Sequence, residues 1–176
     1  MVGVVVFDNY GYPIEKQGFI LAETGKDILD NKEHHKPSSE KMAKSNYQVV
    51  DKNDLTLYFQ KLLKKYDFTA LYAHNIGCDL NALRNYGVYT LDNIKEKRDT
   101  QYFCTYNLVK LPTYTKFCKK YGYRTATGCY RVSLEVVGKY LYKDKDYQQN
   151  HFSLDDAMIL VDIIKMFKAK KKRLQY

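Results

Sequence analysis

The chain has 176 residues, enough for one domain that buries its apolar surface without disulfides or metals as staples. Its hydrophobic fraction of 45% and charged fraction of 28% are ordinary for a globular protein, and its net charge is +9, from 29 Lys and Arg against 20 Asp and Glu. No run approaches the ~18 apolar residues of a membrane span. The basic excess favours a polyanionic partner, because lysine and arginine release counterions from phosphates, although solubility alone also accounts for such a charge. Cys78, Cys104, Cys118 and Cys129 include no C-x-x-C pair, which argues against both a zinc site and a disulfide framework.

The N-terminus, Met1 to Phe7, has no basic leader region and reads as a strand, so the expected location is intracellular, in the cytoplasm. Gly3–Phe7 and Gly18–Ala22 are short β-rich runs around the turn formers Asp8 to Pro13, the pattern of a β-hairpin. Residues 23–46 are polar and Lys-rich and read as a long loop. Leu55, Tyr58, Phe59, Leu62, Leu63 and Tyr66 recur at helical spacing, with Asn53 as the expected N-cap.

Thr69 to Ala73 is a short apolar run that fits a buried parallel strand, followed by a brief helix from about Asp79 that Gly87 stops. Thr100–Val109 reads as strand running into helix. Tyr114–Tyr121 and Val132–Leu141 read as helices around a link from Gly122 to Arg131. A last helix from Leu154 to about Phe167 is apolar nearly all round and so well buried, and a basic tail, 168–176, follows. The order predicts one α/β domain over 1–176 with a mixed sheet.

Two segments carry the chemistry. In each, a histidine stands five residues before an aspartate: His74 before Asp79, and His151 before Asp156. Asp79 is expected at a helix N-terminus just past a parallel strand, where α/β sheets bind ligands. Asp156 is expected in the first turn of the last helix, with His151 on the loop before it. That arrangement suits a carboxylate that holds a metal and a general base. Helix capping explains each segment equally well, since Ser153-x-x-Asp156 matches a capping box and acids favour a first helical turn.

Taken together, Ala73-His74-Asn75-x-x-x-Asp79-Leu80 and His151-x-x-Leu154-x-Asp156-Ala157 resemble the second and third motifs of the DEDDh 3′–5′ exonucleases. Arg98-Asp99-Thr100 resembles the Asp-Thr/Ser pair found between those motifs. The stretch from Pro112 to Tyr123 is similar to a phage-type branch of exonuclease-like proteins. The resemblance implies a ribonuclease H-like three-layer fold and hydrolysis of the 3′-terminal phosphodiester of DNA or RNA. It implies Mg²⁺ or Mn²⁺ in a two-metal site, with Asp79 and Asp156 as metal ligands and His151 as general base. His74 and Asn75, together with the basic link residues Arg124 and Arg131, are expected to contact a single-stranded 3′ end.

The family's first motif, Asp-x-Glu on a central first strand, has no counterpart. Asp8 belongs to the hairpin turn, Leu21 stands where Phe19 to Gly25 would need the Asp, and Asp144-Lys145-Asp146 lies in a Lys-rich loop. In register, Gly3–Phe7 matches the family's second strand, so the sheet is expected to lack its first, central strand. Three explanations follow: a start missed upstream, closure of the hairpin directly onto Leu71–Ala73, or a strand supplied by a partner or second copy. The alternative function is an inactive exonuclease-like module for nucleic-acid binding or subunit interaction. A generic α/β domain whose His/Asp pairs are all caps is the third reading.

Overall fold

A computed structural model of the chain describes residues 1–22, 47–149 and 153–173. Strand β1 (Val2–Phe7) pairs antiparallel with β2 (Pro13–Leu21), as the hairpin pattern predicted, with Val2 opposite Phe19 and Val6 opposite Glu15. Asp8 makes the turn: its Oδ1 accepts the Tyr10 and Tyr12 amides, both at 2.8 Å, and Gly11 takes a left-handed φ of 89°. Those amides, Tyr12 first, hold the Asp8 carboxyl below its usual pKa. Asp8 is therefore a turn residue, as the sequence reading had it.

The expected long loop, residues 23–46, lies outside the described residues. A strand the hydropathy pattern did not reveal, β3 (Tyr47–Val50), pairs parallel with β2 and completes a mixed three-stranded sheet, order β1-β2-β3. Helix α1 (Lys52–Lys65) follows. Its N-cap is Asp51, not Asn53, because the Asp51 carboxylate accepts the amides of both Asn53 and Asp54. Leu55, Phe59 and Leu62 form its buried face, on the sheet.

Strand β4 (Leu71–Ala73) pairs parallel with β5 (Lys97–Asp99), Ala73 opposite Asp99, and these two form a separate sheet. Helix α2 (Ile76–Asn85) begins three residues ahead of Asp79, and the strand expected within Thr100–Val109 is instead the preceding β5. Helix α3 (Thr100–Phe103) runs into a π-helical turn, Cys104–Leu108. Helices α4 (Pro112–Tyr121), α5 (Leu134–Tyr142) and α6 (Ser153–Arg173) complete the chain.

Among the described residues there are two hydrophobic cores. One joins the first sheet to α1 through Val6, Phe19, Leu55 and Phe59; the other is helical, built on Leu108, Tyr114, Val137 and Ile163. Helix α6 packs on two sides, against the helical core and along β1, which is why its sequence is apolar nearly all round. Ile159 and Ile163 enter the helical core, while α6 also runs alongside β1 in the same direction. At the start of that contact, Gly3 meets the backbone of Ser153; at its end, the Lys168 ammonium donates to the Asn9 carbonyl at 2.9 Å.

The fold is mixed α/β, as expected, but with two small sheets where one was predicted. The hairpin does not close onto β4 by hydrogen bonds: among the described residues β1 pairs with β2 and β4 with β5. The sheets approach through side chains instead, with the Phe7 and Tyr72 ring centroids 5.7 Å apart. No helix among the described residues is long and apolar enough to cross a membrane.

Candidate functional site at the ends of the parallel strands

The carboxyl ends of β4 and β5 bring five polar groups together. Ala73 ends β4 and Asp99 ends β5, so the residues just after each strand emerge side by side. Asn75, next after His74, takes a left-handed conformation (φ 66°), which asparagine tolerates better than most side chains, and so turns the chain into α2. Its amide donates to Asp99 Oδ1 at 3.1 Å. The same oxygen accepts the Gln101 and Tyr102 amides, so Asp99 caps α3 and ties the β4–α2 turn to it.

Thr100, only 3% exposed, fixes the histidine. Its hydroxyl lies 3.1 Å from the Ala73 carbonyl and 3.3 Å from His74 Nδ1. A hydroxyl has one hydrogen, and the carbonyl can only accept it. The Nδ1–H of His74 therefore donates to Thr100, and Nε2 is buried. Burial pushes the His74 pKa down, against the opposing pull of the Asp99 charge and the Val132 backbone, so the ring is held neutral. Val132 directly follows the Gly122–Arg131 link.

Asp79 stands one turn into α2. Its surface is open to solvent, yet enough protein surrounds the carboxyl for burial to lead the causes that raise its pKa; the Asp99 charge adds to it. Solvent access keeps that effect modest. Below them lies Cys104, fully buried on the π-helical turn, its thiol pushed up to about 12 by burial and then by Asp99. A thiol that protonated is inert as a nucleophile.

From the other half of the expected site, Asp156 has partners of its own. Asp156, in the first turn of α6, accepts a 2.7 Å hydrogen bond from the Gln149 side chain. Its charge, with that of Asp155, raises the pKa of Tyr147 after burial has done so. The Tyr147 ring packs where a side chain on Gly138 would stand, which fixes the segment leading to Gln149. The expected capping box does not form: Ser153 Oγ is buried without a partner among the described residues, and the Tyr47 hydroxyl accepts the Leu154 amide at 2.8 Å instead. His151 lies outside the described residues.

Arg124 and Arg131 belong to a tight turn that the Arg124–Tyr130 bridge closes. The Arg124 guanidinium lies 5.0 Å from the Tyr130 ring centroid, and Arg131 Nε donates to the Arg124 carbonyl at 2.9 Å. Both side chains remain exposed.

The structure thus unites His74, Asn75 and Asp79 with a carboxylate that sequence reasoning left off its site, Asp99. Its signal was the Arg98-Asp99-Thr100 triplet, but a three-residue, charged strand offers no hydropathy pattern to mark it. Asp79 and Asp99 form a pair, which falls short of the donor set for two divalent cations, and one oxygen of Asp99 already accepts three amides. Among the described residues no three His, Cys, Asp or Glu side chains converge to hold a metal ion. What the cluster offers is a charged, hydrogen-bonding rim at the strand ends, with a neutral imidazole beside it. Compared with known proteins, the chain matches no family model, no curated protein and no solved structure.

Proposed function

We propose that this chain is an exonuclease-like domain of the DEDDh superfamily, with a ribonuclease H-like arrangement, acting on the 3′ end of single-stranded DNA or RNA. The observation that carries this reading is the placement of Asp79. It stands just past a parallel strand, beside a second carboxylate, at the strand ends where α/β sheets bind ligands. Asn75 and His74 precede it in the turn, and the Arg124–Arg131 link adjoins His74 at Val132, giving a basic approach to the same place. In the hydrolytic form of the reading, Mg²⁺ or Mn²⁺ is required, with Asp156 and His151 completing the set. Among the described residues β1 and β4 each pair with one strand only, and their other edges are where a strand-donating partner, or a second copy, would add.

A second reading is a module that binds nucleic acid without cutting it. It is favoured by the separate anchoring of Asp156 on Gln149, which leaves Asp79 and Asp99 as the only carboxylate pair at the strand ends among the described residues.

One experiment separates the two. Incubation with a 5′-labelled single-stranded oligonucleotide and Mn²⁺ is expected to release products shortened one nucleotide at a time from the 3′ end. Asp79→Asn and Asp156→Asn should each abolish that shortening, since a lost metal ligand costs several kcal/mol of transition-state stabilisation, a rate loss of about a thousandfold or more. Binding with no shortening supports the module. Shortening that survives both substitutions, or no binding at all, refutes the superfamily reading.

A further inference from the structure

The surface between α4 and α5 carries chemistry that the strand-end cluster does not use. Lys116 and Lys120 stand four residues apart and so share one face of α4, a helix with no acidic residue. Lys143 and Lys145, from the end of α5 and the turn beyond it, line the same cleft, whose volume is about 320 Å³. Phe117 and Tyr121 line it as well, their ring centroids 5.2 Å apart. The Tyr140 ring joins them at 5.6 Å from Phe117, held by a 2.8 Å hydrogen bond between its hydroxyl and Thr113.

No carboxylate lines the cleft among the described residues. Lys145 pairs with Asp146 at 3.8 Å, so exposed that the attraction is weak. Four ammonium groups around one concavity repel each other, and a partner that removes the repulsion must bring several negative charges. The rings ask for something further. The Lys120 ammonium already sits 5.0 Å from the Tyr121 ring centroid, so a flat group stacking there would meet both a π face and a cation.

We infer that this cleft binds single-stranded nucleic acid, phosphates on the lysines and a base against the rings of Tyr121 and Phe117. Charge and stacking together select that ligand over a simple polyanion, which would use the lysines and leave the rings idle. The site lies on α4 and α5, apart from the elements that carry Asp79 and Asp99. It shares the nucleic-acid side of the proposed function and is independent of hydrolysis.

The test is fluorescence anisotropy of a labelled oligothymidylate in EDTA, compared with an abasic strand of equal length and with polyglutamate as competitor. The oligothymidylate should bind more tightly than the abasic strand. Lys116→Glu with Lys120→Glu should weaken both by about tenfold or more and flatten the dependence on salt. Tyr121→Ala should cost about tenfold for oligothymidylate and little for the abasic strand. Lys143→Gln with Lys145→Gln provides a second, milder variant if the reversed pair fails to fold.

Equal affinity for both strands would reduce the cleft to a polyanion surface and overturn the proposal. So would full displacement by polyglutamate at matched charge, or affinity unchanged in both lysine variants. Because EDTA suppresses cleavage, a protein that never cuts still gives a readable answer here.

Discussion

Asp79 stands in the first turn of α2 beside another carboxylate, whereas Asp156 stands in the first turn of α6 beside an amide and a phenol. Both places favour an acid, because the unpaired amides of a helix N-terminus attract negative charge. The neighbours then divide them. Burial, and after it the Asp99 charge, makes the charged form of Asp79 less favourable. Gln149 donates to Asp156 and ties it into the packing of Tyr147 on α5. A carboxylate with a like-charged neighbour is available to a ligand; one with a donor is committed to the fold. Substitutions that act on one region and spare the other test this contrast.

The largest effect is expected from Gly3→Ala. A Cβ there would stand 2.1 Å from the Ser153 carbonyl carbon and oxygen, backbone atoms that cannot rotate away. Strand β1 and the start of α6 must separate, at about 3 kcal/mol or more, the upper end of overpacking costs. The Asp156 region moves with them, while the strand-end cluster is held by its own hydrogen bonds. Urea denaturation should report the loss, with the ¹³C carboxyl titration of Asp79 left where it was. A variant as stable as the original would show that the close approach of α6 to β1 is not part of the fold.

Next comes Thr100→Val, which acts on the other region. The isostere keeps the volume and removes the hydroxyl, leaving the Ala73 carbonyl and His74 Nδ1 without their shared partner. A loss of about 1–3 kcal/mol is expected, because two buried polar groups lose a bond at once. Thr100→Ser should recover most of it. Equal stability of the Val and Ser variants would remove the hydroxyl from its bridging role.

Much of the fold was visible in the residues beforehand, the contrast between the two acids was not, and what was hidden has a physical cause. The helical periodicity of Leu55 to Leu62 and the all-round apolar surface of α6 mark real buried faces, since burial is what spaces apolar residues. Strand β5 was misplaced because Lys-Arg-Asp packs almost nothing: its pairing rests on backbone hydrogen bonds to β4, which leave no trace in hydropathy. The N-caps were misassigned for a related reason. Asp51 and Asn53 are both good caps, and Tyr47, distant in sequence, took the place expected of Ser153 at the start of α6. The different neighbours of Asp79 and Asp156 come from tertiary contacts of Asp99, Gln149 and Tyr147, which local spacing does not encode.

A smaller effect separates the two acids by pH. Asp79 has a raised folded pKa, so the folded protein holds its proton more tightly than the unfolded chain. The stability from that proton is complete below the ordinary aspartate pKa and is lost as pH rises through the raised value. Asp79→Asn does not titrate, so relative to the parent it should gain stability across that window. The gain stays under about 1 kcal/mol because solvent reaches the carboxyl. Thermal melts from acid to neutral pH measure the difference; a variant whose curve runs parallel to the parent's would show that neither burial nor Asp99 raises this carboxyl.

Gln149→Ala should do least, and it isolates the donor at Asp156. The substitution deletes one hydrogen bond to a carboxylate that keeps other interactions, so a loss of about 0.5 kcal/mol is expected, the low end for a single hydrogen bond. Its sharper consequence is a release of position. If Gln149 holds Asp156 away from the strand ends, the alanine variant should bind Mn²⁺ at least as well as the parent, read by paramagnetic broadening of the Asp79 and Asp156 resonances. Broadening of both would show that the two acids can share an ion once the amide is gone. Broadening of Asp79 alone would leave Asp156 as a structural residue, and the contrast between the two regions would then extend to their chemistry.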